Sequence, residues 1–281
     1  MKLVAPTAFK GTMSPLAAAR YLGAPGDRLL PLSDGGDGFL ECLAYGLGGS
    51  LERVPAADPF GWVRPVPVLR LPGGGVAVEC AQVIGLAGLE RREPLLASSR
   101  GFGELLAQLS GEPRLWVGLG GSATVDGGRD FPPLALPPTT VFCDVRTDLA
   151  DAARLFAPQK GARPEQVPLL AARLAELGLP HGPHTGAAGG LGAKLASLGA
   201  RLIDGGEQML EVLGFDAACA GCDTVVTGEG CLDASSLEGK LPVVVARRAR
   251  ALGLRVVGRF GRRGEGWERA AVHFDETSFE V

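Results

Sequence analysis

The chain has 281 residues, with 28 Lys and Arg against 31 Asp and Glu and a formal charge of −3, so it lacks the basic excess of a nucleic-acid or acidic-membrane binder. Its 43 Gly and 21 Pro fall short of a low-complexity composition, and 46% hydrophobic content excludes general disorder. No apolar run approaches the roughly 18 residues of a membrane span, and Pro6 cuts off Leu3-Val4-Ala5 too early for a signal peptide; a cytoplasmic protein without membrane or nucleic-acid partners is expected.

In chain order, Lys2–Ala5 reads as a strand. Thr7–Met13 follows as a loop, then Ser14 as helix cap and Pro15 in the first turn of a helix through Leu22. A glycine-rich turn, Asp34–Gly38, precedes a helix at Phe39–Leu47. Val63–Leu71 and Val76–Cys80, joined through Pro72-Gly73-Gly74-Gly75, read as an antiparallel hairpin, a change of style that places a domain boundary near Pro55–Pro59. Leu115–Leu119 is a strand running into Gly120–Gly128, and Phe131–Pro138, with four prolines, is a loop. Val141–Cys143 is a strand ending at Asp144. Gln166–Leu177 and Leu191–Leu198 read as helices, Thr224–Thr227 as a strand before Gly228-Glu229-Gly230, Leu241–Leu252 as a helix and Arg255–Val257 as the last strand. Strands alternating with helices predict an α/β fold around a mostly parallel sheet.

The basic residues are 23 Arg and only 5 Lys, and three of the lysines, Lys10, Lys160 and Lys240, each adjoin a glycine. A lysine beside a flexible turn in an arginine-rich chain points to a site that needs a compact ammonium. The absence of Asn and the presence of only 3 Met point to a thermostable source. Six cysteines are too few for a disulfide scaffold; Cys219-x-x-Cys222 with Cys231 has metal-like spacing, yet His181, His184 and His273 offer no fourth ligand in a recognisable pattern, and buried thiols are the expectation.

Four loops combine glycine with acidic or hydroxyl groups: Ser33–Gly38, Gly120–Gly128, Gly186–Gly190 and Thr227–Gly230. Glycine lets backbone N–H groups approach a phosphate, so such loops are natural anion cradles. Gly118-x-Gly120-x-x-Ala123 also fits a dinucleotide fingerprint, with Asp144 as the acidic residue expected further on, and leaves open an oxidoreductase. No Walker A string is present. Glycine loops, loop lysines and loop carboxylates together suit phosphoryl transfer, in which carboxylates hold Mg²⁺ and one of them takes the acceptor's proton; Asp34, Asp126, Asp144, Glu229 and Asp233 are the candidates.

Longer strings carry a resemblance: Phe9-Lys10-Gly11-Thr12, Pro31–Gly38, Gly118–Gly128, Cys143-Asp144-Val145, Phe156–Ala162, Gly186–Gly192, Val226–Gly230 through Leu232-Asp233, and Gly239-Lys240. Over most of its length the chain resembles the bacterial glycerate kinase family that includes the glyoxylate-pathway enzymes. That resemblance implies two α/β domains, a Rossmann-like parallel-sheet domain (1–55 plus 210–281) and an inserted domain (56–209), with the site in the cleft between them. It also implies ATP- and Mg²⁺-dependent phosphorylation of D-glycerate, usually at the 2-hydroxyl, by a monomer or homodimer. Laid over these matches, Lys10, Asp126 and Asp233 are expected in catalysis; Lys160, Ser122 and Gly36 beside the substrate; Gly120, Gly121, Gly189 and Gly228 beside the nucleotide; and Asp34, Asp144 and Glu229 at the metal. Thr7-Ala8 stands where the family usually has Asp-Ser, Val125 where it has Asn, the stretch after Gly128 is shortened and the terminal helix is missing. A relative that kept the fold and lost catalysis is therefore the third reading.

Overall fold

The computed structural model of the chain describes residues 1–279. Internal contacts divide it into two compact units, Met1–Gly48 with Gly205–Val281, and Gly49–Asp204. The first unit opens with β1 (Lys2–Val4), α1 (Pro15–Leu22), β2 (Arg28–Leu29) and α2 (Phe39–Leu47). The second comprises β3 (Ser50–Ala57), β4 (Val63–Arg70), β5 (Val76–Glu79), α3 (Cys80–Ile84), α4 (Arg100–Gln108), β6 (Leu115–Leu119), β7 (Thr139–Cys143), α5 (Leu149–Phe156), α6 (Val167–Ala175), α7 (Ala187–Ser197) and β8 (Arg201–Asp204). The chain then completes the first unit with α8 (Gly205–Val212), α9 (Phe215–Cys219), β9 (Thr224–Leu232), α10 (Leu241–Ala251), β10 (Arg255–Arg263), α11 (Trp267–Ala271) and β11 (Glu276–Ser278).

The sheet of the first unit has the order β11-β10-β9-β1-β2 and is parallel throughout. Its central strands carry continuous apolar pairs, Leu3-Val4, Val225-Val226 and Val256-Val257, all buried, as a sheet covered on both faces requires. Ser14 caps α1 through its hydroxyl, which accepts from Ala17 N at 3.3 Å, with Pro15 in the first turn. Two expectations change. The strand expected to stop at Thr227 continues to Leu232, because β10 runs beside it to Arg263 with Gly228 opposite Arg259 and Glu229 opposite Phe260. A Cβ at 228 would overlap the Arg259 carbonyl, so glycine is what permits that pairing. Nor is β10 last: β11 pairs with it at the sheet edge, and the short α11 lies between them in sequence.

The second unit holds a six-stranded sheet, β3-β4-β5-β6-β7-β8, antiparallel from β3 to β5 and parallel from β5 to β8. Val66, Val78, Phe102, Leu115, Val141 and Leu191 are among its fully buried core residues. The expected join near Pro55–Pro59 falls inside this unit, since β3 pairs along its whole length with β4 and Pro55 sits opposite Pro65 on the edge strand. At the other join, Gly205–Gly206 already belong to α8, which packs on α10 of the first unit. Between β6 and β7 the segment 120–138 forms no helix. The Gly118–Ala123 string therefore lacks the helix start that a dinucleotide fingerprint supplies to its pyrophosphate. The helix expected from Leu191 is preceded by three left-handed residues, Ala188, Gly189 and Gly190, with φ of 50°, 70° and 94°.

Candidate functional site

In the second unit the 120–126 segment and a buried lysine meet. Lys160 closes a short 3₁₀ turn, Pro158–Lys160, made possible by Gly161 at φ 97°. Only 4% exposed, it donates from Nζ to Ser122 Oγ at 2.9 Å and to the Thr124 carbonyl at 2.8 Å. Both acceptors are neutral, and among the described residues no carboxylate lies within ion-pair distance of it. Burial pulls its pKa down to about 8, with Cys80, Asp144 and Asp126 pushing the other way. The turn that carries Ser122 is pinned to the end of α3 and the two residues after it: Leu86 N donates to the Gly121 carbonyl and Ala123 N to that of Ile84, each at 2.8 Å, with Ser122 bridged to Gly85 between them.

Asp126, four residues beyond Ser122, accepts at Oδ2 from Ser99 N (2.7 Å) and Ser99 Oγ (2.9 Å), the residue before α4. Its Oδ1 is buried without a hydrogen-bond partner, as is Thr124 Oγ1. Burial raises the Asp126 pKa, against the two Ser99 bonds and the nearby backbone N–H groups of Gly128 and of Asp126 itself. Gly189 approaches the same segment: a Cβ there would overlap the Thr124 carbonyl, and its own carbonyl accepts from Gly127 N at 3.1 Å. The visible task of Gly189 is thus to let α7 approach this segment. Gly120 and Gly121 follow β6 and Asp144 follows β7, on neighbouring parallel strands. Sequence reasoning passed over Glu79, which ends β5 on the other side of β6 and is 2% exposed; a carboxylate closing an apolar strand, Val76-Ala77-Val78-Glu79, was the signal available.

In the first unit a mixed charge cluster forms around β9. Glu229 Oε1 accepts from Ser236 Oγ at 2.8 Å, and Lys240 Nζ lies 3.9 Å from Glu229 Oε2 and 3.1 Å from Asp233 Oδ1. Burial pushes the Glu229 carboxyl up to about 7; Lys240 and Ser236 oppose, while Asp233 and Asp34 add to the rise. For Asp233 burial is the largest influence and raises the pKa, yet Ser235 and Lys240 together leave it below the ordinary value. Asp34 is tied to its own turn, accepting from Gly36 N at 3.3 Å, and Ser33 Oγ donates to the Gly36 carbonyl. Gly228 is flanked by the loop after β1, its carbonyl accepting from Thr7 N at 3.0 Å. Lys10 is exposed in that loop, which the Phe9–Met13 bridge closes, and a Cβ on Gly230 would sit 3.2 Å from its backbone nitrogen. Lys240 is one of the three glycine-adjacent lysines marked by the sequence, whereas nothing in the sequence marks Ser236.

Each unit therefore gathers its own set: Ser122, Thr124, Asp126 and Lys160 in one, Asp34, Glu229, Asp233 and Lys240 in the other. Among the described residues no three His, Cys, Asp or Glu side chains form a metal-holding group. The carboxylates nonetheless offer hard oxygen donors, and Mg²⁺ ordinarily takes only one or two of these beside phosphate and water.

A model of the glycerate kinase family matches residues 2–131 and 132–279. The chain belongs to the glycerate kinase family. It is 31% identical to a glycerate kinase of Halalkalibacterium halodurans, over 99% of this chain and 90% of that protein. It is also 31% identical to the glycerate 2-kinase of Escherichia coli, over 82% and 74%. The crystal structure of a putative glycerate kinase 2 from Salmonella typhimurium matches it with a TM-score of 0.75 at 28% identity, covering 99% of this chain and 90% of that one. Family membership and the missing helix after β6 together displace the oxidoreductase reading. No helix among the described residues is long and apolar enough to cross a membrane.

Proposed function

We propose that this member of the family phosphorylates D-glycerate at the 2-hydroxyl with ATP and Mg²⁺, as a cytoplasmic monomer or homodimer. The observation that carries the reading is Lys160: a buried ammonium held by two neutral oxygens, with Asp144 and Asp126 near enough to be felt but no carboxylate among the described residues within ion-pair distance, suits an anion, because a buried charge without a direct partner is costly until a ligand carboxylate neutralises it.

On this reading Lys160 receives the glycerate carboxylate, with Ser122 fixing the ammonium. Asp126 takes the proton of the attacking hydroxyl; its Oδ1 makes no well-formed hydrogen bond and its pKa is raised, as suits a general base, whereas Asp233 is committed to Lys240 and Ser235. In the second unit the backbone of Gly120 and Gly121 offers donors to phosphate oxygens; in the first, Gly228 lies on the nucleotide side, Gly36 on the substrate side, and Lys10 offers a mobile ammonium to the transferred group. Asp34 and Glu229 in the first unit, and Asp144 in the second, are each carboxylates of the kind that suits Mg²⁺. When bound, that ion neutralises charge on the nucleotide phosphates.

A coupled assay of ADP release with D-glycerate, L-glycerate and hydroxypyruvate in parallel tests the proposal. Turnover with D-glycerate alone, and a 2-phosphoglycerate product, support it; binding of ATP and glycerate without product returns the protein to the non-catalytic reading.

A further inference from the structure

Thr124 has no part in the roles assigned above, yet it touches the Lys160 ammonium directly, its carbonyl accepting from Nζ at 2.8 Å. Its hydroxyl is the anomaly. Thr124 is 0% exposed, and Oγ1 is buried with no hydrogen-bond partner among the described residues. Ser122, two residues earlier and also buried, shows the contrast, because its hydroxyl accepts from the same ammonium at 2.9 Å. Buried polar atoms without partners are rare in native folds, and each calls for an explanation.

Thr124 is also held too firmly for its backbone to turn the hydroxyl elsewhere. Ala123 N donates to the Ile84 carbonyl at 2.8 Å, and Val125 packs in an apolar cluster with Leu149 and Leu174. The bare Gly189 Cα lies against the Thr124 carbonyl, where a Cβ would overlap it. A β-branched side chain adds stiffness at χ1. The hydroxyl is therefore preorganised in the same residue that holds Lys160.

The donor count at the ammonium says what such a hydroxyl can do. A lysine ammonium carries three N–H donors, and two of those of Lys160 go to Ser122 Oγ and the Thr124 carbonyl. That leaves one donor for an anion, whereas a carboxylate presents two oxygens. The second oxygen needs a donor from another group, and the Thr124 O–H is a donor with no acceptor among the described residues.

Building on the glycerate reading, we propose that Thr124 is a substrate-contacting residue: its hydroxyl donates to one carboxylate oxygen of the bound acid while Lys160 donates to the other. Asp126, two residues on, serves the neighbouring 2-hydroxyl. The single segment 122–126 then orients the ammonium through Ser122, completes the carboxylate grip through Thr124 and takes the proton through Asp126. Because the contact is to the carboxylate, Thr124 acts alike on acids with and without a 3-hydroxyl.

The test is calorimetric binding of D-glycerate and D-lactate, which share the carboxylate and the 2-hydroxyl, to wild type, Thr124→Val and Thr124→Ser, with thermal melts of the unliganded proteins. Thr124→Val exchanges the hydroxyl for a methyl of similar size. Affinity for both acids should fall by the same factor, roughly ten- to hundredfold, as for a lost bond to a charged group. The melting temperature of this variant should be unchanged or raised, since a hydroxyl without a partner leaves the interior. Thr124→Ser keeps the hydroxyl and should bind both acids nearly as wild type does. Should Thr124→Val not fold, Thr124→Ala against Thr124→Ser makes the same comparison. Unchanged affinity overturns the assignment, and a lowered melting temperature beside it would mark a hydroxyl satisfied by the fold or by an internal water. A loss confined to D-glycerate also overturns it, because the contact then lies at the 3-hydroxyl. Wild type that binds neither acid overturns the glycerate reading itself, and this one with it.

Discussion

Lys160 Nζ lies 2.9 Å from Ser122 Oγ across 38 residues of sequence, and the bond ties a lysine that has no ion pair among the described residues to the turn that follows β6. A hydroxyl orients the ammonium without neutralising it, and Asp144 and Asp126 offset its charge only in part. Replacing Lys160 by Met removes both the anion site and the cost of the buried charge. The expected outcome is a raised melting temperature for the unliganded protein together with a KM for glycerate increased at least a hundredfold; a variant both less stable and fully active would contradict the assignment.

The same lysine sets a pH window. Its folded pKa of about 8 lies below the ordinary 10.5, so between those values the unfolded chain binds more protons and stability rises with pH, while affinity for an anion falls above about 8 as the ammonium is lost. Glu229 behaves oppositely. Its folded pKa, raised from 4.5 to about 7, contributes stability that is present below 4.5 and lost as pH rises through 7, and it offers an ionised oxygen to Mg²⁺ only above that point. The profile of kcat/KM against pH should therefore be a narrow bell with limbs near 7 and 8. Raising Mg²⁺ should move the lower limb to lower pH, and Glu229→Gln should leave only the acidic limb set by Asp126.

Asp126 and Ser99 can be separated by substitution. Asp126→Asn retains an oxygen for the Ser99 donors while losing the base, so kcat should fall about 10²- to 10⁴-fold with folding intact. Ser99→Ala removes only the hydroxyl donor and should cost about 1 kcal/mol in a denaturant titration, with a much smaller change in kcat.

The left-handed run before Leu191 offers a paired stability test. Gly189→Ala places a Cβ against the Thr124 carbonyl at φ 70° and should destabilise the protein by about 2–4 kcal/mol. Ala188→Gly relieves a left-handed alanine at φ 50° and should leave stability unchanged or improved by about 1 kcal/mol. Chemical denaturation of both variants measures the difference.

Where a signal is local, the sequence was sufficient. The Ser14-Pro15 start of α1, the bounds of α2, the hairpin through Gly73–Gly75 and the strand Leu115–Leu119 all rest on caps, turns and short apolar runs. The Gln159-Lys160-Gly161 string also marked Lys160, because a lysine beside a turn glycine is visible without knowing what it touches. Partners chosen by the fold were not visible. Nothing near Asp126 names Ser99, 27 residues earlier, and nothing in Gly228-Glu229-Gly230 shows that β10 will hold it as strand, since glycine argues against a strand until the neighbouring backbone is known to crowd it. Glu79 was missed for a similar reason: its interest comes from burial and from the strands on either side.

The helix-free passage from β6 to β7 bears on the history and engineering of the chain. The family match breaks between residues 131 and 132, inside the proline-rich stretch that ends the passage. Only its first part, 120–128, carries the glycine turn and Asp126; the rest spans the distance to β7 without regular structure. Leu134 and Leu136 pack on the core and the Pro138 carbonyl accepts from Leu115 N, so natural lengthening or trimming, like a grafted peptide or reporter tag, fits best at the exposed Pro133, where the chemistry upstream stays in place.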